Sequence, residues 1–310
     1  HGMSDDTEKF DLPFDSPVEP LRLEANDTLK FRCHKGVSCW NACCAQANVT
    51  LTPYDIIRLK QHLGTTTTDV LAKHSVPFEL DQGGMPGIKL RTTDSGACLF
   101  MTDEGCSVYE NRPTACRYYP SGLMSMRAID KNVDERSFLL IKEDHCKGHD
   151  EDQTQTVQEY REKQGVIEYD DYNREWYVIV LKKRSTGPAI GKPSEMSLQL
   201  FFMASYDMDR FRRFVISDSF RKTYQLGEAF YEAVGNDDIA LMQFGFKLMR
   251  QVLYGELSIP EVEGAWEKRM EERDEILKMR REIEVMEFDK QKEEELAAAV
   301  LGDADKCSDN

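Results

Sequence analysis

Apolar residues fall in several different rhythms along the 310 positions. Thr52-Pro53-Tyr54-Asp55 has the signature of a helix start: Thr52 as N-cap, Pro53 at the first helical position and Asp55 in the first turn. Ile56, Ile57, Leu59 and Leu63 then supply an apolar side, and Gly64 a stop. A short helix is expected over 69–74. Ile88 and Leu90 alternate as in a strand, and Ala97 to Met101 is a second strand candidate. Asp103-Glu104-Gly105 reads as a turn that delivers Cys106. Pro113 and Pro120 punctuate the next stretch, leaving room for a short turn or helix piece around Tyr109 to Asn111. Phe138 to Lys142 is strand-like.

The pattern changes after residue 150. Gln153 to Gln164 is polar and helical, and Glu175 to Lys182 fits helix or strand. Gly187 to Pro193 breaks the chain. Residues 194–216 carry Leu198, Phe201, Phe202, Phe211, Phe214 and Val215, the mix of a buried helix, and Glu228 to Leu253 repeats it. From Pro260 to about Leu301, Glu, Lys and Arg dominate and predict a long charged helix with an imperfect coiled-coil pattern. The expected class is therefore α+β: a small cysteine-rich, metal-bound N-terminal module and a mainly α-helical C-terminal part ending in a long charged helix. Residues 1–30, with Pro13, Pro17 and Pro20, read as an extended acidic arm, 31–150 as the cysteine-cluster module and 151–310 as the helical domain.

Charge narrows the partners. Forty basic against 56 acidic residues give −16, of which −11 lies after residue 150. Such a chain is a poor nucleic-acid binder, because phosphate contacts need a basic face. It is equally unsuited to anionic lipid, and its best apolar run, Trp176 to Leu181, is far too short to span a bilayer. The start, HGMSDDTEKFD, lacks the apolar core of a signal peptide. A cytoplasmic protein is expected, whose acidic helical region meets a protein partner.

The chemistry lies in the cysteines. Eight of nine fall between residues 33 and 146: Cys33, Cys39, Cys43, Cys44, Cys98, Cys106, Cys116 and Cys146. Cys307 sits in a polar tail. A disulfide scaffold belongs to small secreted chains, whereas clustered thiols in a reducing compartment bind metal or do redox chemistry. The neighbours Cys43 and Cys44 strengthen the metal reading, since a bridge between adjacent residues strains the peptide while two adjacent thiolates can both be ligands. Soft thiolates suit zinc and iron–sulfur centres alike. Eight suffice for two zinc ions, two four-iron clusters, or one cluster with thiols to spare. The bacterial ferredoxin run and the C-x3-C-x2-C triplet of radical SAM enzymes are both missing, Gln46 standing where the triplet needs a cysteine. No glycine-rich nucleotide loop and no GxSxG elbow occurs. The carboxylate pairs Asp170-Asp171 and Asp237-Asp238 read as surface or cap residues.

Four stretches together resemble one family: CWNACC from Cys39 to Cys44, LTPYDIIRL from Leu51 to Leu59, CLF from Cys98 to Phe100, and CSVYENRPTACRYYP from Cys106 to Pro120. The set is similar to the YkgJ-type cysteine-cluster family, the zinc- or iron-chelating CxxCxxCC domain, over about residues 30–150. The first motif departs from the family's C-x2-C-x2-CC, reading Cys33-x5-Cys39-x3-Cys43-Cys44. The resemblance implies a chelating module, often taken to hold an iron–sulfur cluster. Flagellin lysine methylases look similar in carrying such a cluster beside a helical region.

Arg112 and Arg117 flank Cys116. One reading has them offset the negative charge of a bound cluster and donate hydrogen bonds near its sulfurs. The other has them as structural ion-pair partners of Glu110 or Asp103. His62 and His74 end helices and read as structural. The expected function is an iron–sulfur protein, four-iron, with one or two clusters and a redox or electron-relay role. The alternatives are a zinc-binding structural or interaction module, and an iron–sulfur-dependent protein-modifying enzyme resembling the lysine methylases.

Overall fold

The computed structural model describes residues 21–23, 26–30, 44, 47–81, 84–119, 121–123, 138–140, 154–186 and 193–306. They divide into two units, one of His1–Ile216 with Gly227–Ser258, the other of Ser217–Leu226 with Ile259–Asn310. The described residues of the first unit form a helix-rich α+β structure with small antiparallel sheets.

Strand β1 (Leu21–Leu23) pairs with β8 (Phe138–Leu140), whose other edge takes β7 (Ser121–Leu123). Strand β2 (Thr28–Lys30) pairs with β9 (Thr154–Thr156), with Lys30 opposite Thr154. Helix α1 (Pro53–Leu63) starts as its sequence predicts. Thr52 accepts from the Asp55 N–H, the Asp55 carboxylate accepts from the Thr52 N–H, and Gly64 closes the helix in the left-handed region at φ 60°. Ile56, Ile57 and Leu59 are fully buried. Helix α2 (Thr67–His74) follows and runs directly into β3 (Ser75–Glu79), which pairs with β4 (Pro86–Leu90).

Over 97–101 the structure differs from the strand expected. Only Cys98 makes a bridge, to Thr92, and the chain then turns. The strand proper is the two-residue β5 (Met101–Thr102), paired with β6 (Gly105–Cys106) across the predicted turn. The Met101 N–H is already taken by the Cys98 carbonyl, a tight turn that an extended segment cannot make. A 3-10 turn (Tyr109–Asn111) and helix α3 (Thr114–Tyr118) complete the cysteine-bearing stretch. The strand expected over 138–142 is present as β8; 141 and 142 lie outside the described residues.

Beyond residue 150, β9 occupies the start of the helix expected over 153–164, and helix α4 (Val157–Gln164) the rest. Pairing with β2 takes the backbone of 154–156 before the Thr156 cap can start the helix. Helix α5 (Val166–Thr186) resolves the helix-or-strand ambiguity of 175–182 in favour of helix. The two single helices expected later are each broken once by an aspartate. Helix α6 (Glu195–Tyr206) ends at Asp207, which caps α7 (Met208–Val215). Asp207 is held by hydroxyl donation from Thr67 at 2.7 Å and Thr68 at 2.9 Å, partners that local periodicity does not reveal. The short helix α8 (Asp218–Thr223) belongs to the second unit. Helix α9 (Glu228–Asn236) ends at Asp237, whose carboxylate caps α10 (Asp238–Tyr254).

The core of the first unit is built where α6, α7 and α10 meet. Phe201, Ala204, Phe211, Leu241, Met242, Phe246 and Met249 are almost wholly buried there. Gly245 lets the helices approach: a Cβ on it would lie 3.0 Å from Phe211 Cε1 and 3.2 Å from the Ala204 carbonyl oxygen. Trp176 of α5 joins this core and donates its indole N–H to Ser205 Oγ at 3.0 Å. In the second unit, the Gln225 N–H donates to the Pro260 carbonyl at 2.8 Å, and helix α11 (Ala265–Lys306) follows as the predicted long charged helix. No described helix is long and apolar enough to cross a membrane.

Candidate metal centre

The described cysteines are Cys44, Cys98, Cys106 and Cys116, each half-buried. Cys33, Cys39, Cys43 and Cys146 lie outside the described residues. Backbone hydrogen bonds bring three of the four together. The Cys98 N–H donates to the Cys44 carbonyl at 2.6 Å, and the Ala47 N–H to the Gly96 carbonyl at 3.0 Å, so 44–47 lies against 96–98. The Cys98 carbonyl accepts from the Met101 N–H at 3.1 Å, and Met101 pairs across the β5–β6 hairpin with Cys106. The turn between them depends on Gly105, which sits at φ 114°, a region that disfavours side chains. Cys116 is carried separately on α3. Among the described residues, no group of three or more His, Cys, Asp or Glu side chains is placed to hold a metal ion. The donor chemistry of thiols suits a soft metal centre.

The segment carrying Cys116 is fixed by two buried anchors. The first is Asp55, which has no exposed surface. Its Oδ1 accepts from the Thr114 N–H at 2.8 Å and the Thr114 hydroxyl at 2.7 Å, while Oδ2 accepts from the Thr52 N–H at 2.9 Å. One carboxylate therefore caps α1 and α3 together. Burial pushes the Asp55 carboxyl up to about 6, against the opposing pull of its hydrogen bonds with Thr114 and Thr52. No Lys or Arg among the described residues is paired with it to restore a low value.

The second anchor is the arginine pair. Arg117 donates from Nε to the Arg112 carbonyl at 3.0 Å and from Nη1 to the Gln164 carbonyl at 2.8 Å. Its Nη2 donates to the Glu110 carbonyl at 2.8 Å and the Tyr169 hydroxyl at 3.0 Å. Arg112 donates to the Tyr109 carbonyl at 2.9 Å and to Gln164 Oε1 at 2.7 Å. Both guanidiniums lie over aromatic rings, Arg112 at 4.1 Å from the Tyr109 centroid and Arg117 at 4.2 Å from that of Tyr169. Neither is ion-paired to the Glu110 or Asp103 carboxylate: Arg117 takes the Glu110 backbone instead. These contacts tie 109–117 to the C-terminal end of α4, where a cation favours the helix dipole.

Next to this anchor lies a buried charge group. The Tyr118 hydroxyl and Arg161 Nη2 both donate to Asp170 Oδ2, the latter at 2.8 Å. All three residues are at most 5% exposed. Burial, and then the Asp170 charge, hold the Tyr118 phenol well above its ordinary value. Asp170 is thus no surface residue, contrary to expectation; Arg161, nine residues earlier, neutralises it inside the protein. Asp171, beside it, is exposed and pairs with Arg174 at 2.7 Å. Asp238, expected as a surface or cap residue, pairs with both Lys60 and Arg212.

The two described histidines bind and pack within the fold. His62 contacts the Ser107 carbonyl at 3.0 Å and the Asn111 amide at 2.8 Å, and His74 stacks on Phe100 at 4.9 Å. Sequence reasoning missed Asp55, Thr114, Gln164, Tyr169 and Asn173 as parts of this framework. Asn173 accepts from the Tyr54 N–H at 3.1 Å and donates to the Thr52 hydroxyl at 2.9 Å. The one local signal was Asp55, three residues after a threonine, which explains only its capping role.

Comparison with known proteins gives one match, to part of the chain. Residues 32–177 match the model of a family of chelating domains, CxxCxxCC, described as a "putative zinc- or iron-chelating domain". The resemblance carried by the four stretches therefore holds, and the matched segment extends through α4 into α5. No curated protein and no solved structure matches the chain.

Proposed function

We propose that residues 32–177 hold a four-iron iron–sulfur cluster and that the protein serves a redox or electron-relay role. The observation that carries this reading is the backbone juxtaposition of Cys44, Cys98 and Cys106 inside a segment matching a zinc- or iron-chelating family. The described thiols form only part of a ligand set, so Cys33, Cys39, Cys43 and Cys146 are the candidates to complete it. Topology supports two of them. Cys33 follows Lys30 by three residues and Cys146 precedes Thr154 by eight, and Lys30 and Thr154 are paired at one end of the β2–β9 ladder.

A bound cluster supplies one-electron chemistry, with a potential set by burial and by hydrogen bonds around the sulfurs. The residues of this chain provide the frame. Cys43 and Cys44 are adjacent in sequence and would offer two neighbouring ligands, and the tight turns at 98–101 and 103–106 fix the spacing of the next two described cysteines. Arg112 and Arg117 act through Cys116: their donors go to carbonyls, Gln164 and Tyr169, and so they hold its helix in place.

Iron, zinc and acid-labile sulfide analysis on anaerobically purified protein tests the reading, with electron paramagnetic resonance after dithionite reduction. Brown protein with matching iron and sulfide, and a reduced-cluster signal, is expected. Colourless protein with one or two zinc equivalents and no sulfide overturns it in favour of a zinc-stabilised module.

A further inference from the structure

Helix α11 is 42 residues long, about 63 Å at the usual rise. Such a helix needs a partner to bury an apolar stripe, because propensity alone stabilises it weakly. Its middle carries one. Met279, Ile283 and Met286 are spaced four and three apart, so they share a face, and they are 59%, 52% and 70% exposed. Lys290 takes the next position of the same seam.

Charge says what covers it. Residues 265–281 hold six basic and five acidic side chains, whereas 282–306 hold nine acidic and three basic. Two copies side by side in parallel would align their acidic halves. Two copies running antiparallel would set each acidic half against the more basic half of the other. We propose that α11 pairs with a second copy of itself in an antiparallel coiled coil centred on Ile283 and Met286.

In that arrangement Ile283 of each copy packs against Met286 of the other. The flanking positions on one side place Arg280 against Glu287, and the symmetry supplies the contact twice. On the other side Glu282 faces Asp289, a like-charge contact that keeps the association moderate. In a parallel pair, Glu282 would instead face Glu287. The two orientations therefore respond oppositely to a charge at position 287.

The test is the solution mass of the full chain, measured by light scattering behind gel filtration across micromolar concentrations and by sedimentation equilibrium. Twice the 35.7 kDa of one chain is expected. Ile283→Glu with Met286→Glu should return the mass to one chain, with the unfolding transition of the first unit unchanged. Arg280→Glu alone and Glu287→Arg alone should each weaken association about tenfold, by turning two attractive contacts repulsive. The two together should restore it. A mass of one chain throughout overturns the proposal, as does a dimer indifferent to the Ile283 and Met286 changes. A dimer tightened by Glu287→Arg overturns the antiparallel orientation.

Discussion

Asp55 and Thr114 are 59 residues apart in sequence, yet two hydrogen bonds, at 2.8 Å and 2.7 Å, join them in a fully buried site. This pairing fixes the helix that carries Cys116 to the helix that follows the CC pair. Asp55→Ala removes the acceptor for three donors, leaving them unsatisfied in the interior. A loss of about 3 kcal/mol or more is expected, against about 1 kcal/mol for Thr114→Ser, which keeps both donors. Urea unfolding of the two variants checks the ordering.

The same carboxyl gives a pH signature. Its folded value, about 6, lies above its ordinary value of 3.8, so between the two the folded protein binds more protons than the unfolded chain. Its contribution to stability is therefore greatest below about pH 4 and is lost as pH rises through about 6. The stability of the native chain minus that of Asp55→Asn should fall across this window and stay flat above pH 7. A difference that rises across it contradicts the assignment.

Arg117→Lys tests whether shape or charge matters at the arginine anchor. Lysine keeps the charge but cannot reach the Arg112, Glu110 and Gln164 carbonyls and Tyr169 in one fork. A loss of about 2–4 kcal/mol is expected, together with faster metal release to a chelator. A variant with unchanged unfolding and unchanged metal release shows that this fork does not hold the segment.

Arg161→Met leaves the Asp170 carboxylate buried beside Tyr118 without its cation, an expected loss of about 3–5 kcal/mol. Pairing it with Asp170→Leu removes the stranded charge and should recover much of that loss. Thermal unfolding of the four chains in a double-mutant cycle gives the coupling directly.

Gly245→Val tests the contact of α6, α7 and α10. The added atoms meet Phe211 and the Ala204 backbone, where the helices cannot yield cheaply. Destabilisation by about 2 kcal/mol or more is expected in denaturant titrations.

What the sequence displays and what it hides follow one physical division. The 53–63 helix, its Thr52 cap and its Gly64 stop were legible, because capping is decided within four residues. The 103–106 turn and the long charged helix were legible for the same reason. The chelating family was legible as a resemblance carried by whole stretches, above all 106–120, although the spacing of the first cysteines departs from the family's. Hidden were the relationships that cross the chain. Asp170 looks like half of a surface pair until Arg161 and Tyr118 are seen on it. Asp237 was legible as a cap, but Asp207 looks like an ordinary polar position inside a helical run, yet it ends one helix and caps another. Asp207 does so with help from Thr67 and Thr68, about 140 residues away.

The hydrogen-bond partners at Gln164, Tyr169 and Asn173 carry a practical consequence for anyone dissecting this chain. A fragment cut after the last early cysteine would strip Arg112, Arg117 and Thr52 of these partners, and would be prone to precipitate whatever its metal content. A truncation at Ser258, where the first unit ends, keeps these partners together with the Trp176–Ser205 and Thr67–Asp207 contacts, and is where a minimal chelating fragment should be sought.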